Sequence, residues 1–150
     1  MNGRILKIEF PHSDALIMSA AVADAKVKNF EQLKIPKEQL GSLDLEKNQD
    51  LIHELTKIKQ KNQLIVGFAA ETTSHLKELQ ERAIKKLEAK SLDLIFVNDV
   101  SNGAVFGSNN TKGLIIDSRR NITEVPEISK ETLSDILLDK LVSTLELIND

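Results

Sequence analysis

Leu64-Ile65-Val66-Gly67-Phe68-Ala69-Ala70-Glu71-Thr72 decides how the rest of the chain folds. A short apolar run gives way to small residues and then to an acid. A strand wet on one face alternates polar and apolar side chains, so an unbroken apolar run over 64–68 predicts a strand covered on both faces. The period then changes. Across residues 73–90, Leu76, Leu79, Ala83 and Leu87 fall on one side of a helix, with Glu78, Glu81, Lys85 and Glu88 on the other. Leu92-Asp93-Leu94-Ile95-Phe96-Val97 reads as the next strand and opens into Asn98-Asp99-Val100-Ser101. Strand, helix, strand is a βαβ unit, which predicts a parallel sheet with right-handed crossovers.

The same signature lies upstream, where Ala15-Leu16-Ile17-Met18 runs into Ser19-Ala20-Ala21-Val22-Ala23-Asp24. Residues 15–22 are therefore expected as a first buried strand. Ligands of open α/β sheets bind outside the carboxyl ends of the strands. Three such ends, each carrying a carboxylate, predict a polar small-molecule site. Between the first two strands, Asn48 has the chemistry of an N-cap, with Asp50 set against the positive helix end. Leu51, Ile52, Leu55 and Ile58 make an amphipathic face through about Lys59.

At the N-terminus, Leu6, Ile8 and Phe10 alternate with Lys7 and Glu9, the pattern of a half-exposed strand over 4–10, followed by a turn at Pro11-His12-Ser13-Asp14. From Lys26 to Leu43 periodicity disappears and Lys26, Lys28, Lys34 and Lys37 recur around Pro36. A loop this long is either a lid or a solvated excursion. Downstream, a Gly- and Asn-rich stretch from Asn102 to Gly113 precedes a strand at Leu114–Asp117, with Ile122–Val125 as a hairpin partner. A final helix opens at Ser129, with Leu133, Ile136, Leu137, Leu141, Val142, Leu145 and Ile148 on its buried side.

The 150 residues suit one domain, and 41% hydrophobic with 29% charged residues is ordinary for a globular chain. Five Phe and no Trp or Tyr make the core aliphatic and leave little for base stacking on single-stranded nucleic acid. A net charge of −3 without a basic block gives nucleic acid and membrane surfaces no footing. The absence of Cys excludes disulfides, thiolate metal sites and a Cys nucleophile. No apolar run approaches bilayer length and no signal-peptide core is present, so a cytoplasmic protein is expected. His12, His53 and His75 have no metal-site spacing, and no Walker A, Gly-x-Gly-x-x-Gly or Gly-x-Ser-x-Gly motif occurs.

Several residues read two ways. Asp24 suits ribose hydroxyls or a metal-bound phosphate, and equally an Asx-turn or cap. Phe68 offers a flat face to a base, or fills core. Glu71 suits the ligand-facing end of its strand, or equally an ordinary helix N-terminal acid, with Thr72 and Thr73 as caps. Lys34 is a flexible ammonium suited to a polyphosphate, or a lysine in water. Lys86 and Lys90 stand one turn apart, and Lys90 complements the macrodipole at the C-terminal end of its helix, away from the expected crevice.

In order along the chain, Ala20-Ala21-Val22-Ala23-Asp24, the basic loop with Lys34-Ile35-Pro36-Lys37, Asn48-Gln49-Asp50-Leu51-Ile52, Val66-Gly67-Phe68-Ala69-Ala70-Glu71-Thr72, Lys86 and Lys90, and Asn98-Asp99-Val100-Ser101 resemble phosphopantothenate–cysteine ligase. This family, phosphopantothenoylcysteine synthetase, is often the C-terminal domain of the bifunctional coenzyme A biosynthesis flavoprotein of bacteria. The resemblance covers residues from about 14 to 145. It implies a Rossmann-like three-layer α/β fold with a mostly parallel sheet and a small antiparallel β extension, truncated at the N-terminus.

The chemistry it implies is CTP-dependent joining of 4′-phosphopantothenate to cysteine through an acyl-cytidylate, with Mg2+ accompanying the triphosphate. By resemblance, Met18, Ser19 and Ala20 contact the nucleotide, Asp24 meets its ribose or metal region, and Lys34 is the lid lysine at the reacting phosphates. Gln49, Asp50, Leu51, Ile52 and Phe68 frame the cytidine, and Lys86 and Lys90 meet phosphates.

Three departures accompany the likeness. Pro36 replaces a lysine of the usual Lys-x-Lys-Lys lid, and Gln49 replaces the proline of an Asn-Pro-Asp helix start. Residues 1–13 offer no counterpart to the family's N-terminal Rossmann portion, which carries a Gly-Gly-Thr turn and binds phosphopantothenate. The expectation is a single partial domain over 1–150 with a lid at about 26–43, acting as a homodimer or with a separate N-terminal half. The alternative expectation is a catalytically silent nucleotide-binding or dimerisation module lacking the phosphopantothenate half-site.

Overall fold

A computed structural model of the chain describes residues 3–28, 41–73, 75–100 and 108–149. Its elements run α1 (Gly3–Glu9), a 3-10 turn (Phe10–His12), β1 (Ala15–Met18), β2 (Ala25–Val27), β3 (Leu45–Lys47), α2 (Leu51–Thr56), β4 (Leu64–Glu71), α3 (Leu76–Ala89), β5 (Leu94–Asp99), β6 (Asn110–Asp117), β7 (Ile122–Ser129) and α4 (Lys130–Asn149).

Five strands form one sheet in the order β1-β4-β5-β6-β7. β1 pairs parallel to β4 with Met18 opposite Gly67, and β4 pairs parallel to β5 with Phe68 opposite Phe96. β6 is antiparallel to β5 and β7 antiparallel to β6, so β6 alone runs against the other four. The expected mostly parallel sheet with a small antiparallel extension is the sheet observed.

Alternation along the central strands divides the core in two. Ile65, Ile95, Val97, Leu114 and Ile116 point to one face and pack with Leu79, Ala83 and Leu87 of α3 and Leu55 of α2. Leu64, Val66, Phe96 and Ile115 point to the other face, under Leu133, Leu137 and Leu141 of α4. Helix, sheet and helix thus make the three layers. The inner half of β4 is covered on both faces because both layers meet there. Gly113, beside a β-bulge in the β6–β7 ladder, brings β6 close to β5, and a Cβ there would lie 2.0 Å from the Val97 carbonyl oxygen.

Asp93 fastens the lower end of the sheet. Its carboxylate accepts from the Ile65 N–H at 2.7 Å and from Lys59 Nζ at 2.5 and 2.6 Å. Its backbone N–H donates to the Ile65 carbonyl, and its carbonyl accepts from the Ser118 N–H. Buried Gln63 donates to the carbonyls of Phe10 and Ser13, tying the N-terminal turn to β4.

Several expectations are corrected. Residues 4–10 form no strand: they are α1 and the start of the 3-10 turn, with Phe10 buried and Leu6 partly buried while Ile5 and Ile8 stay exposed. The first strand ends at Met18 rather than residue 22, and as an edge strand it buries only Met18. Within the stretch read as aperiodic, β2 pairs antiparallel with β3 across the intervening segment, a long-range pairing that periodicity cannot show. Helix α2 is shorter than 48–59, and Ile58 is exposed. Leu76, Val142 and Ile148 are exposed, not buried. Among the described residues no helix is long and apolar enough to cross a membrane.

Candidate functional site

A cavity of about 270 Å³ opens where β1 ends beside β4. One wall is Met18 and the segment Ala20–Asp24, which leaves the carboxyl end of β1. The opposite wall is Lys47–Ile52, the end of β3 and the start of α2, and Phe68 and Lys90 close the remaining side. This is the crevice position that a parallel sheet makes available to ligands.

Hydrogen bonds join the two walls. The Asn48 N–H donates to the Asp24 carbonyl at 2.8 Å, and Asn48 Nδ2 donates to the Ala23 carbonyl at 2.7 Å. Asn48 is therefore not the expected N-cap. That place belongs to Asp50, whose Oδ1 accepts from the N–H groups of Ile52 at 3.1 Å and His53 at 3.3 Å.

Asp50 Oδ2 meets Lys90 Nζ at 3.1 Å. Partial burial pushes the Asp50 pKa up, but the Lys90 hydrogen bond and the His53 and Ile52 amides outweigh it, leaving the carboxyl below its ordinary range. Asp50 thus stays ionised while holding an ammonium at the cavity. Lys90, expected to lie away from the crevice, lines it: it is the C-cap of α3, and its long side chain spans to the first turn of α2.

Phe68 is exposed at the cavity and meets Phe96 edge-on, with ring centroids 5.9 Å apart. Phe68 therefore lines the cavity rather than filling core. Asp24 is exposed on the cavity wall, and its carbonyl, not its carboxylate, makes the tie to Asn48.

Beyond the cavity, Glu71 is only 8% exposed at the end of β4. Its carboxylate takes Lys86 Nζ at 2.5 Å and Arg82 Nη1 at 2.9 Å. Burial raises the Glu71 pKa, and the Lys86 and Arg82 hydrogen bonds lower it further than burial raises it. Glu71 is therefore a strand-end acid balanced from α3, not a helix N-terminal acid. Thr73 caps no helix: its hydroxyl accepts from the His75 N–H and donates to Glu78, and His75 is the N-cap of α3.

Of the residues singled out from sequence, Met18, Ala20, Asp24, Gln49, Asp50, Leu51, Ile52, Phe68 and Lys90 share one cavity. Ser19 and Lys86 do not line it: Ser19 is exposed beside Met18, and Lys86 is taken by Glu71. Lys34 and most of the segment read as a lid lie outside the described residues. Sequence reading passed over Lys47 as a wall residue and gave Asn48 the wrong task, since β2–β3 pairing places both and only local spacing was visible.

A second cavity of about 310 Å³ lies against the β6–β7 ladder and holds none of the predicted site residues. Among the described residues no group of three His, Cys, Asp or Glu could hold a metal. Magnesium, by contrast, is commonly held by one or two carboxylates plus substrate phosphates. Asp24 at the cavity fits that mode.

Comparison with known proteins agrees in sequence and in shape. The coenzyme A biosynthesis bifunctional protein CoaBC of Bacillus subtilis is 39% identical over 133 residues, spanning 87% of this chain and 32% of that protein. CoaBC of Borreliella burgdorferi is 37% identical over 127 residues, spanning 83% of this chain and 31% of that protein. The crystal structure of the C-terminal domain of a CoaBC superposes with a TM-score of 0.74 at 26% identity, covering 96% of this chain and 61% of that domain. The chain thus spans about a third of the length of these curated relatives. Residues 1–145 match the family described as the DNA/pantothenate metabolism flavoprotein C-terminal domain, and the chain belongs to that family.

Proposed function

We propose that this chain is the nucleotide-binding part of a phosphopantothenate–cysteine ligase, and that the cavity between Ala20–Asp24 and Lys47–Ile52 takes CTP. The observation that supports the reading most is the convergence of Met18, Asp24, Asp50, Phe68 and Lys90, far apart in sequence, on one crevice at a strand end. In the reaction, the carboxylate of 4′-phosphopantothenate attacks the α-phosphate of CTP, giving an acyl-cytidylate and pyrophosphate. The amine of cysteine then attacks the acyl carbon and releases CMP.

Residues 49–52 and Phe68 hold the cytidine, and Lys90 offers its ammonium to a phosphate in exchange for Asp50. Asp24 would hold Mg2+ that arrives with the triphosphate and offsets its charge. Lys34 would approach the reacting phosphates, where fixed positive charge favours the charge that develops in the transition state. Lys86 reaches a phosphate only by leaving Glu71.

The phosphopantothenate side of the site would come from an N-terminal portion, carried on the same polypeptide or on a separate one. Among the described residues, the margin of β1, where Ile17 is 42% exposed, and the exposed Leu138 and Val142 on α4 have no covering element, and they are apolar surface of the kind such a portion would cover. A cytoplasmic place of action and a homodimer belong to this same reading.

Titration of CTP with Mg2+ into the purified chain, beside ATP, tests it. Saturable CTP binding that is lost in Lys34→Gln and Asp24→Ala is expected, and ligase activity should appear on adding an N-terminal half in trans. A folded chain that binds neither nucleotide would refute the assignment of the cavity.

A further inference from the structure

Phe68 stands where β4 outruns its neighbour. The β1–β4 ladder ends with Met18 opposite Gly67, so Phe68 is the first residue of β4 beyond the end of β1. On the other side the β4–β5 ladder continues, and Phe96 is the partner of Phe68 there. Partners across a ladder project from the same face of the sheet. Among the described residues, Phe68 is therefore open toward β1, where the cavity lies, and flanked toward β5 by Phe96. Phe96 is 3% exposed, packed in the core under Leu133, Leu137 and Leu141 of α4, and does not line the cavity. The two rings meet edge-on, with planes inclined at 65°. Such a contact covers at most one face of the Phe68 ring and leaves the other to a ligand.

We propose that Phe96 is a positioning residue of the nucleotide site: anchored in the core, it fixes the ring of Phe68 in the orientation that meets the cytosine of CTP. The role rests on the CTP reading above and adds to it a residue outside the cavity. An aromatic side chain with one open flank turns among its staggered rotamers. A neighbouring ring held in the core selects one of them before the ligand arrives, so less order has to be imposed on binding. Leucine at position 96 would keep an apolar side chain in the core and remove the ring that Phe68 meets.

The test is a double-mutant cycle on CTP affinity, measured with Mg2+ by calorimetry on the full chain. Phe96→Leu is expected to bind CTP about two- to tenfold more weakly, the range set by one edge-on aromatic pair. Phe68→Leu removes the ring itself, and adding Phe96→Leu to it should weaken binding by less than about twofold. A Phe96 that only supports the fold would weaken binding by the same factor in both backgrounds, and that additivity would overturn the proposal. So would Phe96→Leu binding CTP as tightly as the parent. A second measurement needs no substitution at Phe96. With the five Phe rings 13C-labelled, the free parent should show Phe68 ring signals, identified by their absence from Phe68→Leu, in close contact with those of Phe96. A free Phe68 ring without that contact refutes positioning ahead of the ligand. No CTP binding by the parent refutes the CTP reading and this role with it, whereas CTP binding with Phe96 uncoupled from Phe68 refutes this role alone.

Discussion

Replacing Asp93 by alanine should destabilise the chain by about 2–4 kcal/mol, although Asp93 does not line the cavity. Two losses add. The Ile65 N–H, on a residue with 0% exposure, loses the carboxylate oxygen it reaches at 2.7 Å. A buried donor left unsatisfied costs about 1–3 kcal/mol. Lys59 also loses its ion-pair partner, with side chains 20% and 18% exposed in the pair. Solvent screens that pair in part, so about 1 kcal/mol is assigned to it.

For a domain of this size, each kcal/mol moves Tm by roughly 2–4 °C, giving a fall of about 5–15 °C. Asn at position 93 retains an oxygen for the Ile65 N–H and loses only the charge, so about 1 kcal/mol is expected of Asp93→Asn. Urea unfolding of the three chains, compared at common m, measures both differences. An unfolding free energy for Asp93→Ala within about 0.5 kcal/mol of the parent would show that the Asp93 carboxylate does not fasten this end of the sheet. Equal losses in the two variants would show that charge, not the backbone acceptor, is what Asp93 supplies.

Two further outcomes follow from packing and charge. Gly113→Ala should lose about 2–3 kcal/mol in the same assay, because its Cβ would meet the Val97 carbonyl oxygen at 2.0 Å and backbone cannot step aside as a side chain can. Glu71 contributes to acid sensitivity: its folded pKa lies below the ordinary 4.5, so its contribution is present in full above that pH and is lost as pH falls through the folded value. Tm followed from about pH 6 to pH 3 should therefore fall less steeply in Glu71→Gln than in the parent, and parallel curves would count against the Lys86 and Arg82 pairings.

The βαβ unit was legible because its signals are local and agree. The apolar run of β4, the spacing of Leu79, Ala83 and Leu87, and the return to strand at Leu94 each specify the same layer. The N-terminal helix was not. Leu6, Ile8 and Phe10 satisfy period two, while Leu6 and Phe10 alone satisfy the helical spacing of four, and over seven residues neither pattern excludes the other. Contact with α2, where Gly3 lies against Leu51, sides with the helix. The cavity was half legible: the residues that line it announce themselves as strand ends and caps. Which of two neighbouring cap-formers does the capping depended on whether a carbonyl from residue 23 came within reach of residue 48, a fact of tertiary folding. Lys86 stands outside the cavity for a related reason, since its ammonium pairs with the buried carboxylate of Glu71.

The two margins of the sheet differ in what they permit. β7 ends one side with Pro126, which has no N–H to give, between the exposed carboxylates of Glu124 and Glu127. Both devices discourage a further strand from annealing there. β1 ends the other side with Ala15-Leu16-Ile17-Met18, four uncharged residues without a proline. Among the described residues, growth of the sheet is thus directional, blunted at the antiparallel margin and receptive at the parallel one. That asymmetry puts the receptive margin next to the cavity, since Met18 belongs to both.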